Sequence, residues 1–238
     1  MFLVKKKYLI AMALSALLWA LGSANVLQMY AFSMPVLAPI HKGTSGNPYA
    51  SLMFNIDWGE EYIPSLLDVL KEKNAKVTFF PTGTWVERNA ELATRIILEG
   101  HEMGNHGGSH LHVETMSKDQ LHSLILAGEE RIRLSTGVKP SPLFAPPYGE
   151  WNDDTVAYAL EIGYQTVLWT VDTVDWWLPP PETIWKRALA GADPGCLILM
   201  HPTENTVLAL PTLIEGLKER GLMLVTVSEN IARKPAIP

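Results

Sequence analysis

The chain reads as one α/β domain built on parallel strands. Three observations predict this: short apolar runs alternate with longer stretches of helical spacing, helix start and stop residues stand at the boundaries, and polar clusters collect where the apolar runs end. In order, the strand-like runs cover 50–56, 77–81, 143–145, 166–170, 197–200 and 223–227, each apolar enough to be buried on both faces. A shorter run at 102–105 makes about seven βα units. Helical spacing covers 63–73, 87–99, 118–134, 153–162, 182–190 and 208–220. Ser117 and Asn152 stand before the third and fourth helices as caps, and Gly100, Gly137, Gly163 and Gly221 follow helix ends. Such alternation means a parallel sheet, closed into a barrel or doubly wound.

With 238 residues the chain is long enough for one domain with a well-buried core. The net charge is −6, and from residue 33 onward 16 basic residues face 25 acidic ones, which excludes nucleic acid as a natural partner. A monomer is expected. The single cysteine, Cys196, lies beside an apolar run and reads as a small core residue. At the amino end, Lys5-Lys6-Lys7 precede an uncharged run that is most apolar from Leu9 to Leu21, and Gly22-Ser23-Ala24 supply small residues for cleavage. Residues 1–32 therefore read as an export signal, either removed or kept as a membrane anchor, and that segment is the only membrane contact expected. Residues 33–49, with three prolines and Gly43-Thr44-Ser45-Gly46-Asn47, read as a linker to a domain spanning 50–238.

Parallel βα proteins place their chemistry at the carboxyl ends of the strands. Five polar clusters fall there: Asn55-Ile56-Asp57, His106 to His110, Pro146-Pro147-Tyr148-Gly149, Asp172 to Trp176, and His201. Gly107-Gly108 between the two imidazoles favours a loop over a helix, and neutral imidazole is a common ligand for zinc and its neighbours. Trp58, Trp151 and Trp176, at strand ends, are candidates for sugar stacking. The clusters read as one active site assembled from several loops.

In order and spacing they resemble the motifs of the polysaccharide deacetylase family, the NodB-homology or carbohydrate esterase family 4 domain. The closest segments are Thr78-Phe79-Phe80-Pro81-Thr82-Gly83, Gly100-His101-Glu102-Met103-Gly104-Asn105-His106 with Ser109-His110, Pro146-Pro147-Tyr148-Gly149 and Leu199-Met200-His201. The resemblance implies a distorted, incomplete TIM-like (β/α) barrel and hydrolysis of acetyl groups on an N-acetylated polysaccharide such as peptidoglycan or a chitin-like polymer. It also implies a divalent metal, zinc first, with cobalt, nickel or manganese as alternatives, held by Asp57, His106 and His110. It makes His201 the acid that protonates the departing amine and Asp175 its orienting partner. Tyr148, after Pro147, would help hold the oxyanion, while Trp176 and Leu199 wall the acetyl pocket.

Two departures stand out. The family's first motif is usually Thr-Phe-Asp-Asp-Gly, whose first Asp is the base and second a metal ligand; here Phe54-Asn55-Ile56-Asp57-Trp58-Gly59, aligned on its Phe, is two residues longer and puts Asn55 at the base. The Arg that pairs with that base is replaced by Ala145. Three expectations follow: Glu60 or Glu61 serves as base, metal-activated water attacks without a strong base, or the domain binds glycan and catalyses nothing.

Overall fold

The structure, a computed structural model, describes residues 37–44 and 46–232. The expected export signal, residues 1–32, lies outside these residues. The elements follow in chain order as β1 (Tyr49–Ile56), α1 (Ile63–Glu72), β2 (Thr78–Pro81), α2 (Gly83–Arg88), α3 (Ala90–Leu98), β3 (Glu102–Met103), α4 (Lys118–Thr136), β4 (Leu143–Phe144), α5 (Asp153–Glu161), β5 (Gln165–Thr166), β6 (Val171–Asp172), α6 (Pro181–Ala190), β7 (Cys196–Met200), α7 (Glu204–Glu219), β8 (Met223–Leu224) and α8 (Val227–Ile231).

Every named strand pair is parallel. The main sheet runs β3-β2-β1-β7-β6, with β8 paired to the start of β1. A bridge between Asn105 and Phe144 carries it on into β4 and β5. The α/β class is as the alternation predicted, and the strands continue round without pairing into a full circle among the described residues.

β1 is buried from Ala50 to Ile56 because both its faces are covered. Phe54 and Ile56 point outward into the layer under the helices, against Leu66, Leu67, Leu70, Phe79, Met200 and Leu213. Met53 points inward to a second cluster with Phe80, Leu143, Ala145, Val167, Leu197, Leu199 and Val227. Successive strand residues alternate faces, so the inward row continues from Met53 to Asn55 and opens at Asp57.

Four elements differ from expectation. The helix at 87–99 is two helices broken at Asn89, whose backbone leaves the helical region at φ −129°, ψ 42°. The strand at 166–170 is split into β5 and β6. α7 begins at Glu204, four residues before the expected start, with Thr203 as its cap accepting from the Thr206 amide. After β8 the chain turns directly into α8, where Thr226 and Glu229 form a capping box. The linker reading also ends too late: Ile40 bridges Val167, Lys42 bridges Cys196, and the Thr44 amide donates to the Asn230 carbonyl, so these residues pack as part of the domain.

Candidate active site

A cavity of about 430 Å³ opens at the carboxyl ends of the strands, lined by Asn55, Asp57, Trp58, His106, His110, Tyr148, Gly149, Trp169, Asp172, Trp176, Leu199 and His201. Most of the expected site residues are thus brought together. Pro147, Asp175 and the two glutamates lie outside its lining. Pro147 is buried beneath the Pro147–Gly149 turn, while Glu60 and Glu61 stand exposed on the short 3-10 turn after Gly59, outside the cavity lining. The expectation that Glu60 or Glu61 serves as base is therefore corrected.

His106 follows β3 in a loop, as the glycine pair predicted. Asn105 shapes that loop, donating from its side chain to the Ile125 carbonyl and accepting from the Gly107 amide, and Gly107 takes a φ of 87° that favours glycine. The His106 ring is 2% exposed, and its Nδ1 lies 2.6 Å from the Ala145 carbonyl. That contact makes Nδ1 the protonated nitrogen and leaves the lone pair on Nε2. Burial, and next the charge of His110, push its pKa down to about 3. Burial also lowers the pKa of His110, against the opposing pull of Asp57. The two rings, 5.0 Å apart, are therefore neutral nitrogen donors at neutral pH. Ala145, where the resemblance places an Arg, is fully buried in the inner cluster and contributes only its carbonyl.

Across the cavity stands His201, just past β7. Its Nδ1 is 2.8 Å from Asp175 Oδ1, and its amide donates to Oδ2 at 2.7 Å. Thr206 also donates to Oδ2, at 2.7 Å, so the fully buried Asp175 carboxylate is held from several sides. With Nδ1–H given to Asp175, Nε2 of His201 is the free nitrogen. Tyr148, at the left-handed φ of 59°, sets its ring edge-on to His110 at 4.4 Å and stacks on His112 at 4.0 Å; His112 in turn pairs with Glu150. Trp169 and Asp172 complete the wall; Asp172 belonged to a cluster visible in the sequence, while Trp169 lay inside the apolar run 166–170.

Strand register and Gly59 together set the alignment of the first motif. β1 pairs in unbroken register with β2 from Met53 to Ile56 and with β7 from Ala50 to Phe54, leaving no bulge to absorb two extra residues. Gly59 fixes the other end of the motif: its φ is 83°, and a Cβ there would sit 2.3 Å from the Pro202 carbonyl oxygen. Counted back from Gly59 without a gap, Asp57 falls on the first Asp and Trp58 on the second. Asn55, corrected from the base position, lies one inward step deeper, 6% exposed, and its Oδ1 has no partner. Asp57 Oδ1 accepts from Thr82 Oγ1 at 2.7 Å. Trp58 is 43% exposed and lies parallel to the His201 ring at 6.1 Å. Among the described residues no three His, Cys, Asp or Glu side chains stand together so as to hold a metal ion. The imidazole pair fits a divalent cation; Asp57 shares their cavity without completing that set.

A parallel α/β scaffold with an imidazole- and carboxylate-lined cavity at its strand ends defines the class, a barrel-type α/β protein with a hydrolase-like site. The chain belongs to the polysaccharide deacetylase family, whose model matches residues 42–167. It is 39% identical over 179 residues to a peptidoglycan-N-acetylglucosamine deacetylase of Bacillus cereus, a match covering 73% of this chain and 83% of that one. It is 38% identical over 191 residues to the uncharacterized protein YlxY of Bacillus subtilis, covering 80% of this chain but only 60% of the relative. Among solved structures it resembles a CE4 family pseudoenzyme from Bacillus anthracis at 36% identity and a TM-score of 0.80, covering 84% of this chain and 70% of that one. A mutant of that pseudoenzyme with restored enzymatic activity superposes with a TM-score of 0.79 at 35% identity, covering 84% of this chain and 72% of the mutant chain. Deacetylases of this family are metal-dependent.

Proposed function

We propose that the chain removes N-acetyl groups from a cell-wall glycan of the peptidoglycan or chitin type. One observation carries the reading: His201, fixed by Asp175, shares a single cavity with Asp57 and two neutral imidazoles. Support for the substrate comes from the relatives named for peptidoglycan and, in Sinorhizobium fredii, for chitooligosaccharide. Lys5-Lys6-Lys7 and the apolar run behind them support export to the wall, as a secreted or anchored protein.

His106 and His110 would hold the divalent cation, zinc by preference for nitrogen donors. When bound, that ion polarises the acetyl carbonyl and lowers the pKa of water beside it. Asp57, the carboxylate at the cavity mouth, takes the proton of the attacking water. His201 Nε2 gives a proton to the nitrogen as the C–N bond breaks, because an amine anion is too poor a leaving group to depart unaided. The products are acetate and the free amine. Leu199 and Trp176 wall the acetyl group, and Tyr148 offers its main-chain N–H near the developing oxyanion.

A second reading is favoured by Trp58 in the place of an acid and by the likeness to a pseudoenzyme: the cavity binds the glycan without cleaving it. Acetate release from N-acetylated chito-oligomers and from peptidoglycan, measured with zinc in excess, separates the two. The hydrolytic reading expects release that falls by about 10²-fold or more in His201→Ala. Binding with no acetate at any zinc concentration would replace it with the second.

A further inference from the structure

The donor set at the cavity floor is unequal to the fold around it. His106 is built as a ligand, with its Nδ1 tied to Ala145, and His110 stands beside it, 5.0 Å between ring centres. Among the described residues no carboxylate joins that pair to make a set of three. Asp57 is drawn to Thr82, itself fixed as the cap of α2. Asp172, the other carboxylate in the lining, accepts from the Val174 amide. Trp58 occupies the remaining wall, its indole laid parallel to the His201 ring. The strand register and Gly59 leave no freedom to slide Asp57 one residue onward into the place of Trp58.

From this geometry we infer that the chain holds a divalent cation through His106 and His110 alone, with Trp58 standing where a third, acidic ligand would complete the site. Asp57 is then a proton acceptor and not a ligand. Catalytic zinc sites ordinarily have three protein ligands, so a site with two binds the ion weakly and carries it only when the ion is abundant. This rests on the reading that the imidazole pair takes a metal, and it deepens that reading by naming which side chain limits occupancy.

The test is zinc titration of the purified protein by calorimetry, with no substrate present. Trp58→Asp is expected to bind zinc at least about tenfold tighter than the wild type, a gain abolished by adding His106→Ala. Asp57→Asn in the wild-type background is expected to leave the affinity within about threefold, since the charge near the ion changes but no ligand is lost. A wild type that binds one zinc as tightly as Trp58→Asp would overturn the inference. So would a loss of tenfold or more in Asp57→Asn, or a folded Trp58→Asp with no gain. Should Trp58→Asp fail to fold by circular dichroism, Trp58→Asn and the Asp57 arm decide. Zinc binding as described without acetate release would remove the hydrolytic reading and leave this inference standing.

Discussion

At the scale of single residues, Asn55 is the clearest link between structure and ligand. Its carbonyl oxygen is buried without a partner beneath the cavity, a state that costs roughly 1–3 kcal/mol in the free protein. An acetamido N–H entering the cavity is a donor of the right kind. Asn55→Leu is therefore expected to raise the melting temperature while weakening binding of N-acetylated chito-oligomers by about tenfold, a loss near 1.4 kcal/mol. Unchanged affinity would show that the oxygen does not read the glycan. The same residue shows where sequence reading fails. Phe54 suggested an alignment from the strand side, and only the continuous pairing of β1 with both neighbours shows that the count must start from Gly59. His106, His110, Asp175 and His201 were legible because each sits at a strand end with a motif around it, and the cavity gathers three of them, with Asp175 directly behind His201.

At the scale of elements, Glu102 acts as a strut. Its carboxylate accepts from Thr78 on β2, from Ser141 ahead of β4 and from the Ser228 amide in the first turn of α8, so one half-buried side chain joins three segments. Glu102→Ala leaves all three donors short and is expected to cost about 2–3 kcal/mol, read by urea denaturation. A change under about 0.5 kcal/mol would mean that water replaces the carboxylate freely. Long helices were legible because their apolar faces repeat. Short elements were not: Met223 to Val227 is apolar enough for a strand, yet Thr226 with Glu229 carries the start signal of a helix, and here the local signal prevails over the apolar run. The break at Asn89 has no glycine or proline to announce it.

At the scale of the whole molecule, part of the acid sensitivity follows from His101. The ring is buried between β2 and β3, where its Nδ1 accepts from the Val77 amide at 3.4 Å and so must be neutral. Burial, and then nearby Lys76, push its pKa down from 6.5 to about 4. The unfolded chain takes up this proton near pH 6.5 and the folded one only near 4, so stability is full above pH 6.5 and declines as the pH falls through that window, by up to roughly 3 kcal/mol. Denaturation at pH 7 and pH 4.5 is expected to show the decline in the wild type and a smaller one in His101→Phe. Equal declines would place the acid sensitivity elsewhere.

The strap formed by residues 40–44 ties the first described residues to Thr166, Gly195 and Asn230. A polypeptide emerging amino end first therefore cannot fasten its leading edge until nearly all the rest has appeared. Such delayed closure keeps a half-made chain pliable, as the proposed export would require.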